Sequence, residues 1–470
     1  MRLSDLADGV ARTVEGVGGA FQEALFEPTV RLGVTGLSRA GKTVFITGLV
    51  ANLLARGKMD ALSAQAEGRI AAAFLQPQPD DTLPRFDYEA HYGALTAAAP
   101  FWPESTRSVS ELRLSLRLQP GGLIGTLKGP RRLHLDIVDY PGEWLLDLGL
   151  LSLRYGEWSE KVLADIDARA EGAEFRATLA TINPTAPLDE VHAKDLATAF
   201  TTYLNAAREA GYYNLTPGRF LLPGDLAGAP VLTFAPLPKA ASPRGSLARE
   251  MERRFEAYKS QVAVPFFRDH LSRIDRQVVL ADTLGALARG PRATADLVAA
   301  MSGILAAFKP GRNAFLKQLF LGRRVERILF AATKADRLHS SQHGAMTEIM
   351  EVLLKDARDR ADFAGARTAA MAISALRATT EETRTENGRK LDMVIGRVPG
   401  REKPVAAFPG ALPASGSEVL AATRGGAENW PDGTLQVLQF VPQPLSLGRD
   451  DGPPHIRLDR ATEFLIGDLL

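Results

Sequence analysis

The chain has 470 residues, 45% hydrophobic and 24% charged, the balance of a globular protein with sequence enough for more than one core. Its 56 basic and 55 acidic side chains leave a formal charge of +1, so no global positive field favours nucleic acid as a partner. There is no cysteine, which excludes disulfides, thiolate catalysis and cysteine-ligated metal.

Taken in chain order, residues 3–25 place Leu3, Leu6, Val10, Val14, Val17, Phe21 and Leu25 at helical spacing. That predicts an amphipathic helix, docked on its own domain, on a partner or on a membrane surface, the last disfavoured because acidic residues outnumber basic ones along it. VRLGVTG (30–36) then reads as a short buried strand, and KTVFITGLVANLLARG (42–57) as a helix ended by Gly57. Between them, Gly36, Gly41, Lys42 and Thr43 fit G-x-x-x-x-G-K-[ST]. Glycines let successive amide N–H groups converge on phosphate oxygens, and the helix adds its positive end. Lys42 would reach the β- and γ-phosphates and the Thr43 hydroxyl would ligate Mg²⁺, with Ser38, Arg39, Ala40 and Val44 completing the cradle. Residues 58–100 read as irregular. SELRLSLRL (110–118) and LHLDIVDYPG (133–142) read as two strands of a hairpin.

The second strand ends in Asp139-Tyr140-Pro141-Gly142, a D-x-x-G turn. Asp139 is the expected Mg²⁺-shell carboxylate, and the Gly142 amide can sense a γ-phosphate. A second D-x-x-G at Asp282–Gly285 is the alternative, and strand order favours Asp139. Residues 151–272 read as mostly helical, with a Pro/Gly-rich break from 217 to 244. Strand candidates come next at 276–282, 327–333 and 369–374, with helices at about 294–320 and 344–363 between them, and a last strand and helix after 433. Strand–helix alternation predicts a mostly parallel sheet wrapped by helices. No apolar run is long enough to span a bilayer and no signal-peptide core opens the chain, so it reads as soluble and cytoplasmic.

At strand ends, Thr333-Lys334-Ala335-Asp336 and Ser374-Ala375 resemble the base-reading motifs of Ras-like GTPases, with Thr333 where asparagine is usual. Asp336 would accept from guanine N1–H and N2–H₂, Lys334 would lie along the base, and the Ala375 amide would meet O6. Thr106 is the candidate switch threonine and second γ-phosphate-dependent metal ligand, with Ser105 and Ser108 as rivals. Glu143 comes directly after Gly142, where a water-orienting residue is expected; its charge repels the γ-phosphate, which predicts slow hydrolysis. Arg39 or Arg107 could add charge in cis.

With TGLSRAGKTVFITGLV, DYPGEWLLDL, TKAD and PHIRLDRATEFLIGDLL in place, the chain resembles the YcjX-like family of bacterial stress-associated P-loop proteins. The resemblance implies a Ras-like α/β core that binds GTP or GDP with Mg²⁺ and carries a mainly helical insertion. It also implies a role in stress beside a membrane-protein partner, and so a place at the periphery of the inner membrane. The expected division is 1–28 an N-terminal helix, 29–150 the phosphate-loop and switch half, 151–272 the insertion, and 273–470 the second half with its C-terminal extension. Two other readings stay open. One is a P-loop ATPase or small-molecule kinase with the insertion as lid or substrate domain, the other a nucleotide-binding scaffold that never hydrolyses.

Overall fold

The computed structural model describes residues 27–37, 39–104, 108–119, 131–307, 325–363, 365–386, 388–413, 415–425, 430, 435–448 and 450–470. The expected helix over 3–25, and Ser38, Ser105, Thr106 and Arg107, lie outside these residues.

The central sheet has seven strands: β1 (Thr29–Gly36), β2 (Ile70–Gln76), β3 (Ser110–Leu118), β4 (Arg131–Asp139), β5 (Arg276–Ala281), β6 (Arg327–Ala332) and β7 (Arg367–Ala372). Their order is β2-β3-β4-β1-β5-β6-β7. Neighbours pair parallel from β4 to β7, whereas β3 runs against both β4 and β2. The expected architecture, a mostly parallel sheet wrapped by helices, is the one found.

Burial on both faces explains why the parallel strands read as near-continuous apolar runs. Along β5, Val278 and Leu280 face one core while Val279 and Ala281 face the other. The first core is closed by α1 (Lys42–Ala55), through Phe45, Ile46 and Leu49, and by a helix near the C-terminus. The second is closed by helices at Pro291–Ala307 and His343–Leu353, through Leu297, Met301, Met346 and Ile349.

The chain between β4 and β5 begins with α2 (Gly142–Leu146) and continues through helices that build a third core. There Trp158 stacks on Phe255 at 5.0 Å and meets Phe200 and Phe234 edge-on. Ring pairs of this kind add about 0.5–1.5 kcal/mol beyond the area they bury. The longest helix of this segment is α3 (Glu190–Ala210), started by the Asp189 carboxylate and ended by Gly211 in the left-handed region at φ 98°.

Three elements depart from the sequence expectation. Residues 58–100 are not wholly irregular, because β2 adds an edge strand and Tyr88–Thr96 forms a helix. A three-stranded antiparallel sheet, β8 (Thr379–Glu386), β9 (Arg389–Gly396) and β10 (Val405–Ala407), comes after β7. The strand expected at 435–442 is instead an extended segment outside any sheet. Its donors go elsewhere, as with Val441 N–H to Arg397 O at 2.9 Å, and Pro442 has none to give.

Candidate functional site

The carboxyl ends of β1, β4, β5, β6 and β7 meet along one edge, and β1 sits where the strand order reverses. That is the place where open α/β sheets hold ligands. β1 ends at Gly36, the loop turns through Arg39 at φ 63° and Gly41 at φ 83°, and α1 begins at Lys42. A Cβ on Gly41 would meet no atom within 4 Å, so glycine is needed there for its backbone angle. The first turn of α1 holds no acidic side chain, leaving its positive end free for an anion. Lys42 Nζ folds back to donate to Gly36 O at 3.2 Å, and Thr43 Oγ1 donates to Glu104 O at 3.4 Å.

The other end of the edge is built by β6 and β7. The amide of Ala335 donates to Ile373 O at 3.0 Å, tying the two turns together. Asp336 is buried, with its carboxylate fixed from both sides by Ser374 Oγ at 2.8 Å and the Ala378 N–H at 3.0 Å. Thr333 Oγ1 donates to Ala281 O at 3.2 Å. Lys334 stands at φ 61° and its Nζ meets Asp282 Oδ2 at 2.6 Å. Burial lowers the Lys334 ammonium, with Asp282 opposing. Burial raises the Asp282 carboxyl, but Lys334, Arg337 and the Gly285 N–H outweigh it and hold the carboxyl below its usual value. Asp282 caps the helix Thr283–Ala288 through that 3.0 Å bond to Gly285, which accounts for the second D-x-x-G.

Both ends open into one cavity of about 530 Å³. Its wall takes in residues 39–45 of the phosphate loop and α1, with Thr333, Lys334, Asp336, Ser374 and Ala375. Sequence reasoning missed the rest of the wall, which includes Trp102, Asp282 in this role, Arg289, Arg337, Gln439 and Phe440. Trp102 Nε1 donates to Phe440 O at 2.8 Å and Arg337 Nη2 to Gln439 Oε1 at 2.8 Å, so the 435–442 segment walls the cleft. A tryptophan only four residues before the candidate switch threonine was the one sequence signal for it.

Gly36, Asp139, Gly142 and Glu143 are not among the residues that line the cavity. Asp139 ends β4 opposite Val34 of β1 and is fully buried. A Cβ on Gly142 would lie 2.1 Å from Gly36 O, so the D-x-x-G turn presses directly on the phosphate loop and only glycine fits. Glu143, 6% exposed, has one carboxylate oxygen, Oε2, buried without a hydrogen-bond partner. Among the described residues no cluster of three or more His, Asp or Glu could cage a metal. One hydroxyl at Thr43 and one carboxylate at Asp139 instead suit Mg²⁺, which keeps waters and phosphate oxygens for its other positions.

Residues 30–470 match the sequence profile of the YcjX-like family, DUF463. A protein of Escherichia coli K12 named Ras-like GTPase YcjX is 38% identical over 94% of this chain and 96% of its own length. A protein of the same name from Shewanella oneidensis is 35% identical over 94% of each. The chain therefore belongs to the YcjX-like family.

Proposed function

We propose that the chain is a guanine-nucleotide switch with slow, Mg²⁺-dependent GTPase activity. One observation carries the reading: a single cavity is lined both by the phosphate-loop residues 39–44 and by Thr333, Lys334, Asp336, Ser374 and Ala375. The relatives' printed name, Ras-like GTPase, supports the choice of guanine.

In this reading Lys42 leaves the Gly36 carbonyl for the β- and γ-phosphates, and the 36–43 amides close on the phosphate chain. Thr43, Asp139 and the candidate switch residue Thr106 would hold Mg²⁺, which would supply positive charge against the phosphates. Asp336, already oriented by Ser374 and Ala378, keeps lone pairs for guanine N1–H and N2–H₂. Thr333 has committed its hydroxyl proton to Ala281, so it shapes the base pocket without donating to it. Glu143 orients water through its carboxylate, and the repulsion between that carboxylate and the γ-phosphate keeps turnover slow. GTP would order the segments around Thr106 and Gly142, and hydrolysis would release them. The segment 151–272, an insertion domain in this reading, lies just beyond the switch turn and serves as lever or partner surface. We place the protein in the cytoplasm, in a bacterial stress response, with a membrane-protein partner. Among the described residues no helix is long and apolar enough to cross a membrane.

Titration with fluorescent GTP, ATP and xanthosine triphosphate, each with Mg²⁺, tests the base pocket. Asp336→Asn should weaken GTP by about a hundredfold or more and favour xanthosine triphosphate, because asparagine donates where aspartate accepted. ATP binding at least as tight as GTP, and indifferent to Asp336, would instead support the ATPase or kinase reading.

A further inference from the structure

Two arginines of the cleft wall, Arg39 and Arg289, are both held by the same stretch of the segment between β4 and β5. Arg289 Nη2 donates to Tyr213 Oη and Arg39 Nη2 to the Glu209 carboxylate. The two contacts differ in kind. Tyr213 is buried and its surroundings are fixed, since the amides of Tyr213 and Asn214 both donate to Asp296 Oδ2. A Cβ added to Gly211 would come within 2.4 Å of Arg289 Nε, so that contact is tightly seated. The Arg39–Glu209 pair lies in solvent, with side chains 56% and 62% exposed. Ion pairs so exposed are weak and easily exchanged.

Glu209 is also poorly placed as a free carboxylate. It is the last residue but one of α3, at the negative end of a 21-residue helix, where a cation is wanted and an anion is disfavoured. The helix's own last-turn cation, Arg208, donates to Asn205 Oδ1 at 3.0 Å, and the cation that meets Glu209 is Arg39. Arg39 in turn belongs to the phosphate loop, where φ 63° fixes the direction in which its side chain leaves the lip of the cleft. One guanidinium is thus shared between the Glu209 carboxylate at a helix end and a cleft shaped for polyanions.

We propose that Glu209 is a positioning residue that holds Arg39 away from the phosphates, and that a bound nucleoside polyphosphate takes Arg39 from it. Resting on the nucleotide reading of the cleft, this adds the route by which the cleft and the helical segment sense each other. The polyphosphate wins because it presents several charges where Glu209 presents one. When Arg39 leaves, the carboxylate at the end of α3 loses its ion-pair partner, with Arg208 as the remaining last-turn cation, and the last turn loosens, while Tyr213 and Asp296 keep the segment anchored. By linkage, anything that engages Glu209 must change nucleotide affinity by the same factor.

The test is a double-mutant cycle on the full chain, read as the affinity for a non-hydrolysable GTP analogue with Mg²⁺. Glu209→Gln should bind about two- to fivefold tighter than wild type, the span expected for an exposed pair. Arg39→Gln should bind more weakly, and in its background Glu209→Gln should change nothing. Amide exchange over residues 205–211 should quicken on nucleotide loading in wild type and stay constant in Arg39→Gln. Equal affinities for wild type and Glu209→Gln, or the same gain in the Arg39→Gln background, overturn the proposal while leaving the cleft reading intact. Wild-type protein that binds neither guanine nor adenine nucleotide overturns the cleft reading, and this proposal with it.

Discussion

Asp147 lies one helical turn beyond the Asp139–Gly142 turn, fully buried, with its carboxylate accepting from Tyr258 Oη and from the Gly218 N–H at 2.8 Å. Burial lifts its carboxyl to about 7, against the pull of those two hydrogen bonds. The unfolded chain loses that proton near pH 4, so between about 4 and 7 the folded state holds a proton the unfolded state lacks. Stability from this group is complete below pH 4 and falls as pH rises through 7, by up to about 4 kcal/mol. Urea unfolding of Asp147→Asn from pH 4 to 8 should show a shallower decline than wild type. Nothing in the sequence marks Asp147, because its value comes from burial among residues distant in the chain, Tyr258 and Gly218 among them. That loop 36–43 and Asp336 belong together at the strand ends was legible for the opposite reason: glycine spacing and strand-end position are local signals. Arg289 and Gln439 reach the same cleft only through tertiary folding, and no local pattern announces them.

The short helix α2 joins the Asp139–Gly142 turn to the third core. Trp144 is buried on it, donating from Nε1 to Leu222 O at 3.0 Å, with the Arg219 guanidinium 3.2 Å above its ring and Phe266 edge-on at 5.2 Å. A Cβ on Gly218 would lie 1.9 Å from Glu143 O, so the two backbones meet with no room for a side chain. Trp144→Ala removes the ring that fills this joint and should cost about 3–5 kcal/mol. We expect a lowered midpoint in thermal melts and new proteolytic cleavage near residues 215–225. Elements with strong periodicity, such as β3 and the C-terminal helix Leu458–Ile466, were readable from sequence alone, and α1, buried nearly all round, was readable from the glycine-rich motif before it and Gly57 after it. β2 was not, because IAAAFLQ is rich in alanine and lacks alternation. The β8–β9 hairpin does carry a local signal, the Asn387-Gly388 pair between its strands, and Gly388 stands at φ 75°. The expected strand at 435–442 failed because apolar spacing says nothing about whether a partner edge is open.

For the whole molecule, the contacts Gly36 to Gly142, Glu143 to Gly218 and Arg39 to Glu209 form a continuous path from the phosphate loop into the third core. If the nucleotide reading holds, amide exchange across 151–272 should differ between the GDP and GTP-analogue states, and most near 205–222. Identical exchange in the two states would remove the helical segment from the switch. The parallel order of the sheet was foreseeable from alternation of strand and helix. Its two-sided core, which fixes that order, is visible only once both faces of β5 are seen to be covered.

The position of β1 between β4 and β5 also bears on how the chain reaches this state. β4 is available soon after β1 in synthesis, but the strand on β1's other side arrives only after residues 140–275. While those residues are unstructured, β1 has one bare edge and the phosphate loop has half its support. Closing so long a loop is slow, and its entropy must be lost before any contact repays it. A segment that first collapses around Trp158, Phe200 and Phe255 changes the problem, because a folded body replaces most of the loop. The helical core would then act as the scaffold on which the sheet finishes folding, and damage to it would appear as slow folding before it appeared as lost stability.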